Sequence, residues 1–294
     1  MRRGGIGRVA RHSRVKQSQP GELRFLFHAP SQIQASHRPA LTQVKSISPA
    51  GCHPLQVPCE DCPIRYRAVC ATCEPSELTA LEGSKYYRRY EAGQVIGLAG
   101  ERMDFVASVV SGVAGLSQTM EDGRTQMVGL LLPSDFLGRP GRDRSPYDVT
   151  ALSELLLCCF RRRPFEGLLH SSPRVAARLL DMTLDELDAA RDWLLLLGRK
   201  SAREKIASFL TILARREAVL RQSLPTGGTV VDLPLGREAM ADYLGLTLET
   251  VSRQISALRR EGVIALEGSR RVVIPDFHRL AAESGDDSDG GLPC

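Results

Sequence analysis

The stretch GREAMADYLGLTLETVSRQISALRREGVIALEGSRRVVI, residues 236–274, decides the fold. Gly236 to Leu244 reads as a short helix, and Gly245 permits a tight turn after it. Thr247 is placed to cap a second helix, with Glu249 in its first turn. Val251, Ile255 and Leu258 recur at spacings of four and three, which gives that helix one apolar stripe. Gly262 stops it. Val263–Leu266, a Glu267-Gly268-Ser269 turn and Arg271–Ile274 then read as a two-stranded wing. A helix–turn–helix followed by a wing lays its second helix in the major groove of duplex DNA. The face opposite the stripe carries Glu249, Ser252, Arg253 and Ser256. Arg253 can donate two hydrogen bonds to guanine, Glu249 can accept from cytosine, and Ser252 can adapt to a base or pack on a thymine methyl. Arg259, Arg260, Arg270 and Arg271 are placed to neutralise phosphates, which positions a protein without reading sequence. The competing reading is a helical hairpin in a core with solvated arginines. The completeness of the pattern argues against it.

Working outward, residues 164–222 read as helical, with Pro173 at an early helical position after Ser171 or Ser172. Val175 to Leu197 is long and amphipathic, and Gly198 is expected to break it before a helix from Ser201 to Arg221. Leu180, Thr183, Leu187, Ala190, Leu194 and Leu197 alternate at three and four residues, which is a coiled-coil seam. An ordinary core-facing helix gives the same pattern over so short a span. A DNA-reading element nearby favours a homodimer, because such elements usually dock in pairs. A short helix is expected around Glu77–Tyr87. Between Tyr87 and Phe160, the apolar runs Val106–Val110, Met127–Leu132 and Leu155–Phe160 alternate with glycines. That predicts short strands in a small antiparallel barrel or jelly roll. Val230–Leu233 reads as one more short strand.

Eight cysteines are present. Cys59-x2-Cys62 puts two thiols on one turn, and Cys70 and Cys73 repeat the spacing. Four thiolates suit tetrahedral zinc or an iron–sulfur cluster, and by spacing alone zinc is the commoner outcome. Cys158 and Cys159 lie in an apolar strand, where neighbours point to opposite faces. One of them at most can join the upstream set, and the other packs inside as a small hydrophobe.

With 43% apolar residues in 294, the chain can bury a core in two or three domains. The net charge of +5 is compatible with nucleic acid, and the 5% aromatic content argues against stacking on single strands. No apolar run is long enough for a transmembrane helix, and the basic N-terminus lacks the apolar core of a signal peptide. A cytoplasmic protein without a membrane partner is expected, in which cysteines serve metals before disulfides. No catalytic motif groups the Asp, Glu, His and Ser residues, so an enzyme is not expected. The organisation read from the sequence is α+β. Residues 1–50 form a disordered extension, and 51–165 the cysteine segment with the barrel or jelly-roll sensor domain. Residues 166–200 carry the dimerisation helix, 201–280 the winged helix-turn-helix, and 281–294 a disordered tail.

The order of jelly roll, dimer helix and winged helix-turn-helix resembles the cyclic-AMP receptor superfamily, over roughly residues 55–280. Within it the chain resembles the fumarate-and-nitrate-reduction (FNR) regulators, the oxygen-sensing branch. Two motifs carry that resemblance: Cys59-Glu-Asp-Cys62-Pro-Ile followed by Cys70, and GLTLETVSR from Gly245 to Arg253. The resemblance implies a [4Fe–4S] cluster on Cys59, Cys62, Cys70 and Cys158. Cys158 is included because PYDVTALSELLLC matches the family's approach to its barrel ligand. It also implies TTGAT half-sites read by Glu249, Ser252 and Arg253, a dimer interface through Leu180, Leu187, Ala190, Leu194 and Leu197, and RNA polymerase as a partner. Phe136, where nucleotide-binding members carry a glutamate, disfavours a cyclic nucleotide, although Arg144-Ser145 is similar to their phosphate-binding pair. A zinc-stapled or small-ligand-responsive regulator of the same superfamily, without an oxygen-labile cluster, is the alternative.

Overall fold

The computed structural model describes residues 57–220 and 228–285. The extension 1–50, Cys52, His53 and Cys294 lie outside the described residues. A short 3-10 turn, Cys59–Asp61, opens the cysteine segment, and α1 (Pro75–Ser84) follows it. The helix expected at Glu77–Tyr87 therefore starts earlier and ends at Ser84, because Lys85–Tyr90 is strand β1. Seven more strands complete this β region: β2 (Val95–Gly97), β3 (Phe105–Ser111), β4 (Ala114–Thr119), β5 (Thr125–Leu131), β6 (Phe136–Leu137), β7 (Asp148–Ala151) and β8 (Leu155–Arg161). They form two four-stranded sheets, β1-β8-β3-β6 and β2-β7-β4-β5. The result is a jelly roll of two facing sheets and not a closed barrel.

Alternation along the strands separates two cores. Phe105, Ala107 and Val109 of β3 and Leu155, Leu157 and Cys159 of β8 turn inward, onto Ala114, Leu116, Leu131, Val149 and Ala151 of the facing sheet. Val106, Val110, Cys158 and Phe160 turn outward, into a second apolar cluster with the cysteine segment and the helices. The β3–β4 turn requires Gly112, with φ +82°, since a Cβ there would lie 2.0 Å from the Glu154 carbonyl oxygen.

Helix α2 (Arg162–Ser171) leads into α3 (Pro173–Arg199). Ser172 caps α3 by accepting from the Val175 amide at 3.2 Å, and Pro173 occupies its first turn. At 27 residues α3 is about 40 Å long, yet only Val175 and Leu196, near its two ends, are fully buried. It runs through Gly198 without a break. The real stop is Ser201, which receives the Glu204 amide and donates its own amide to the Glu204 carboxylate at 2.6 Å, and so starts α4 (Ala202–Leu220).

The C-terminal region packs around α4. Strand β9 (Thr229–Asp232), α5 (Arg237–Leu244), α6 (Leu248–Arg260), β10 (Ala265–Glu267), β11 (Arg271–Ile274) and α7 (Phe277–Glu283) surround it. Ile206, Phe209, Leu210 and Leu213 of α4 share one core with Met240, Leu244, Val251, Ile255, Leu258 and Leu280. The wing is a three-stranded sheet, β10-β11-β9, and not two-stranded. Helix α7 runs into the segment read as a disordered tail from residue 281. Among the described residues no helix is long and apolar enough to cross a membrane.

Candidate metal centre and nucleic-acid interface

Strand register fixes where the paired cysteines point. Cys158 lies opposite Tyr87 on one side and Ser108 on the other, all on the outward face of the sheet. Cys159 pairs with Tyr86 and Ala107 and is fully buried inside the jelly roll. The cysteine segment lies against the outward face. Ile64, Ala68 and Val69 anchor it in the cluster that holds Cys158, Phe160, Phe165 and Val175. Cys70 belongs to this cluster, Cys62 and Cys73 pack at its edge, and Cys59 is buried beside it.

The electrostatics distinguish the thiols. Burial pushes the Cys158 thiol up, and the neighbouring thiols Cys62 and Cys70 push it further, with Lys85 opposing. Burial also raises Cys62, and it raises Cys70 to about 11. Cys73 is pushed up to about 12, by burial and then by Cys70 and Glu77. Cys159, raised to about 12 by burial, feels none of the upstream thiols. Cys59, Cys62, Cys70, Cys73 and Cys158 thus share one neighbourhood, and Cys159 stands apart. A bound cation must overcome this bias, since thiolates are the ligands.

Lys85, at the start of β1, was not singled out by sequence. Its ammonium donates to Val57 O at 2.7 Å, to Cys59 Sγ at 3.1 Å and to Glu82 Oε1 at 3.2 Å, with 7% of its side chain accessible. Burial alone would depress this ammonium, but Cys59, Tyr87 and Glu82 outweigh it and hold it above its ordinary range. No local signal could have found it, because Cys59 lies 26 residues upstream.

The donor set suits a cluster in kind. Four thiols come from two elements, with an ammonium on one and apolar walls around them. The Ser108 hydroxyl, across the ladder from Cys158, is buried without a hydrogen-bond partner. Among the described residues no three His, Cys, Asp or Glu side chains converge as ligands of a single ion.

The segment also grips the head of α3. Ser172, its cap, donates to Glu77, and Arg178 donates to the Arg67 carbonyl. Arg174 pairs with Glu74 at 2.6 Å, and Thr72 donates to the Arg174 carbonyl at 3.4 Å. Along α3, Leu180, Leu187, Ala190 and Leu194 are exposed as the seam requires, and Leu184 joins them. Leu197 does not. It packs on the C-terminal core, close to Gly245.

At the other end, Gly245 adopts the left-handed conformation and Thr247 accepts from the Thr250 amide at 3.2 Å. These two residues set the turn and start α6. Val251, Ile255 and Leu258 are buried, so Glu249, Ser252, Arg253 and Ser256 line the exposed face. Arg253 rests 3.7 Å from Glu249, an exposed pair that opens easily. Arg259, Arg260, Arg270 and Arg271 are exposed around it.

A recognition helix behind a jelly roll and a long connecting helix defines a DNA-binding regulator and not an enzyme. The comparisons agree. A model of the Crp-like helix-turn-helix domain matches residues 204–283, and one of the cyclic nucleotide-binding domain matches 87–172. The transcriptional activator protein FnrL of Cereibacter sphaeroides is 68% identical over 235 residues, 80% of this chain and 95% of the relative. The fumarate and nitrate reduction regulatory protein of Salmonella typhi is 27% identical over 245 residues, 82% and 95% of the two chains. The structure of FixK2 from Bradyrhizobium japonicum matches with a TM-score of 0.60 and 33% identity, covering 67% of this chain and 96% of that one. The chain belongs to the FNR-type regulators of the cyclic-AMP receptor superfamily.

Phe136, Arg144 and Ser145, compared above with nucleotide-binding positions, each have a partner within the chain. Phe136 stacks on Phe165 at 5.5 Å, the Arg144 guanidinium donates to the Gly100 carbonyl at 2.5 Å, and the Ser145 hydroxyl donates to the Tyr147 carbonyl at 2.6 Å. A cleft of about 510 Å³ remains between the jelly roll and α3.

Proposed function

We propose that this chain is an oxygen-responsive transcriptional regulator of the cytoplasm, with a [4Fe–4S] cluster on Cys59, Cys62, Cys70 and Cys158. The observation that carries the reading is the placement of Cys158 in the same apolar pocket as the cysteine segment. When bound, the cluster supplies an oxygen-labile cross-link between that segment and strand β8. The chain's own residues do the rest. Ile64 and Val69 seat the segment, and Glu74, Glu77 and the Arg67 carbonyl hold the head of α3. That grip orients the exposed Leu180, Leu184, Leu187 and Leu194 for a second copy. Two α6 helices then meet a TTGAT-type palindrome about one helical turn apart, with Glu249, Ser252 and Arg253 on bases. A dimer doubles the DNA contacts, so modest loosening costs much affinity. RNA polymerase is the expected partner at the promoter. Only a group that binds two states differently can work such a switch, and one that ties residues 59–70 to Cys158 does so.

The test is anaerobic purification, with iron, acid-labile sulfide and zinc counted per chain and the visible spectrum followed in air. About four irons and four sulfides, with a spectrum that fades, are expected. One zinc, little iron and no response to air would overturn the reading. Tight binding of a small molecule by metal-free protein would move the signal to the cleft beside α3.

A further inference from the structure

Two side chains outside the cysteine set share the sheet face that carries Cys158, and one of them touches Cys59 directly. The first is Lys85. Burying an ammonium is costly unless it is well paired. The Val57 carbonyl holds it at 2.7 Å, the Cys59 sulfur follows at 3.1 Å, and its one carboxylate, Glu82, keeps 46% of its side chain accessible. The second is Ser108, whose hydroxyl is buried and unpartnered directly across the ladder from Cys158. Register accounts for the convergence. Lys85 pairs with Phe160, Tyr87 with Cys158, and Cys158 with Ser108, so all share the outward face of adjacent strands. One donor therefore stands at each end of the set, beside the first cysteine of the segment and beside the strand cysteine.

We propose that Lys85 and Ser108 are positioning residues for the cysteine-bound group. The Lys85 ammonium donates to the Cys59 thiolate and offsets the negative charge of the four ligands, and the Ser108 hydroxyl donates to a sulfur at Cys158. This rests on the cluster reading above. Charge and hydrogen bonds to sulfur set the potential of an iron–sulfur centre. Both donors stabilise the more negative, reduced form, so losing either lowers the potential.

The experiment uses the full chain purified without oxygen, as wild type, K85M, K85R and S108A. Iron and sulfide are counted, and the one-electron reduction is titrated with low-potential mediators. One electron passes from mediator to cluster, and no bond is made or broken. The expected result for K85M is about a tenfold shift of the reduction equilibrium, about 59 mV to more negative potential. K85R should recover most of it, and S108A should shift in the same direction by less. Unchanged potentials in K85M and S108A, with four irons retained, would overturn the proposal and leave Lys85 as a clasp on Val57. If K85M loses the cluster outright, the test passes to K85R and S108A. A wild-type potential in S108A, or no cluster retained by K85R, would then overturn it. A wild type without iron would overturn the cluster reading itself, which the metal count separates from the present inference.

Discussion

Replacing Cys158 or Cys159 by serine should give opposite results at neighbouring positions. Cys159 sits among Leu155, Leu157, Val149 and Phe105, and its polar approaches are the backbone of Arg88 and a long, 4.0 Å contact to the Leu157 carbonyl. A hydroxyl in this apolar setting costs about 1–3 kcal/mol. For a chain of this size that lowers the melting midpoint by about 2–4 °C per kcal/mol. Cys158→Ser places its hydroxyl across from Ser108, which lacks a partner, so the metal-free protein should lose less than about 1 kcal/mol. Its cost falls on the cluster instead: iron per chain should drop to near zero, and cognate DNA binding should go with it. Calorimetry of metal-free protein and iron analysis of anaerobic protein read the two effects separately. An iron-free Cys159→Ser beside an iron-replete Cys158→Ser would refute the register argument, and equal thermal losses would refute the packing argument.

Three other outcomes are expected. Leu194→Glu should leave the melting midpoint unchanged, since Leu194 is 72% exposed in the single chain. It should shift sedimentation under anaerobic conditions toward the monomer; an undiminished dimer would place the interface elsewhere. Arg253→Ala should cost about 1–3 kcal/mol on a cognate site with little change in salt dependence, whereas an equal loss on unrelated DNA would assign Arg253 to phosphate. Glu283 is held below the usual carboxylate range chiefly by its hydrogen bond from Arg203, which also bonds Glu261 at 2.6 Å. A depressed carboxyl lends stability above its unfolded pKa and loses it as pH falls through the folded one. Glu283→Gln should therefore flatten the decline in stability below about pH 4.3, and parallel melting curves from pH 3 to 7 would show that the contact carries nothing.

The parts legible in the sequence are those whose causes are local. Gly245, Thr247 and the stripe of Val251, Ile255 and Leu258 encode the turn and the second helix within fourteen residues. The opposed facing of Cys158 and Cys159 follows from a period of two. What escaped depends on distant partners. Strand β9 joins the wing through Val231 and Val272, some forty residues apart. Leu197 fits a heptad by spacing, but the helix-turn-helix core claims it because Leu196 has already turned that end of α3 inward. Gly198 has no atom within 4 Å of an added Cβ. Its roughly 1 kcal/mol helix penalty is outweighed by the buried Leu196 anchor, so the chain breaks three residues later, at the Ser201 cap. Lys85 lay beyond any pattern, because only the folding of the cysteine segment back toward β1 brings Cys59 to it.

The C-terminal region is clasped to the rest of the chain on several sides. Trp193 of α3 stacks on Tyr243 at 4.0 Å, Gln126 of β5 donates to the Asp242 carbonyl at 3.0 Å, and Arg216 of α4 pairs with Asp135 beyond β5 at 2.8 Å. Val113 and Leu132 of the jelly roll enter the same core. If these contacts hold on DNA, the reading head turns with the rest of the chain. One inserted base pair between half-sites moves them about 3.4 Å apart and rotates them by about 34°, a tenth of a turn. In the dimer proposed above, torsional phase between half-sites would therefore be tested as strictly as the bases themselves, and spacer length becomes a second alphabet for promoter choice.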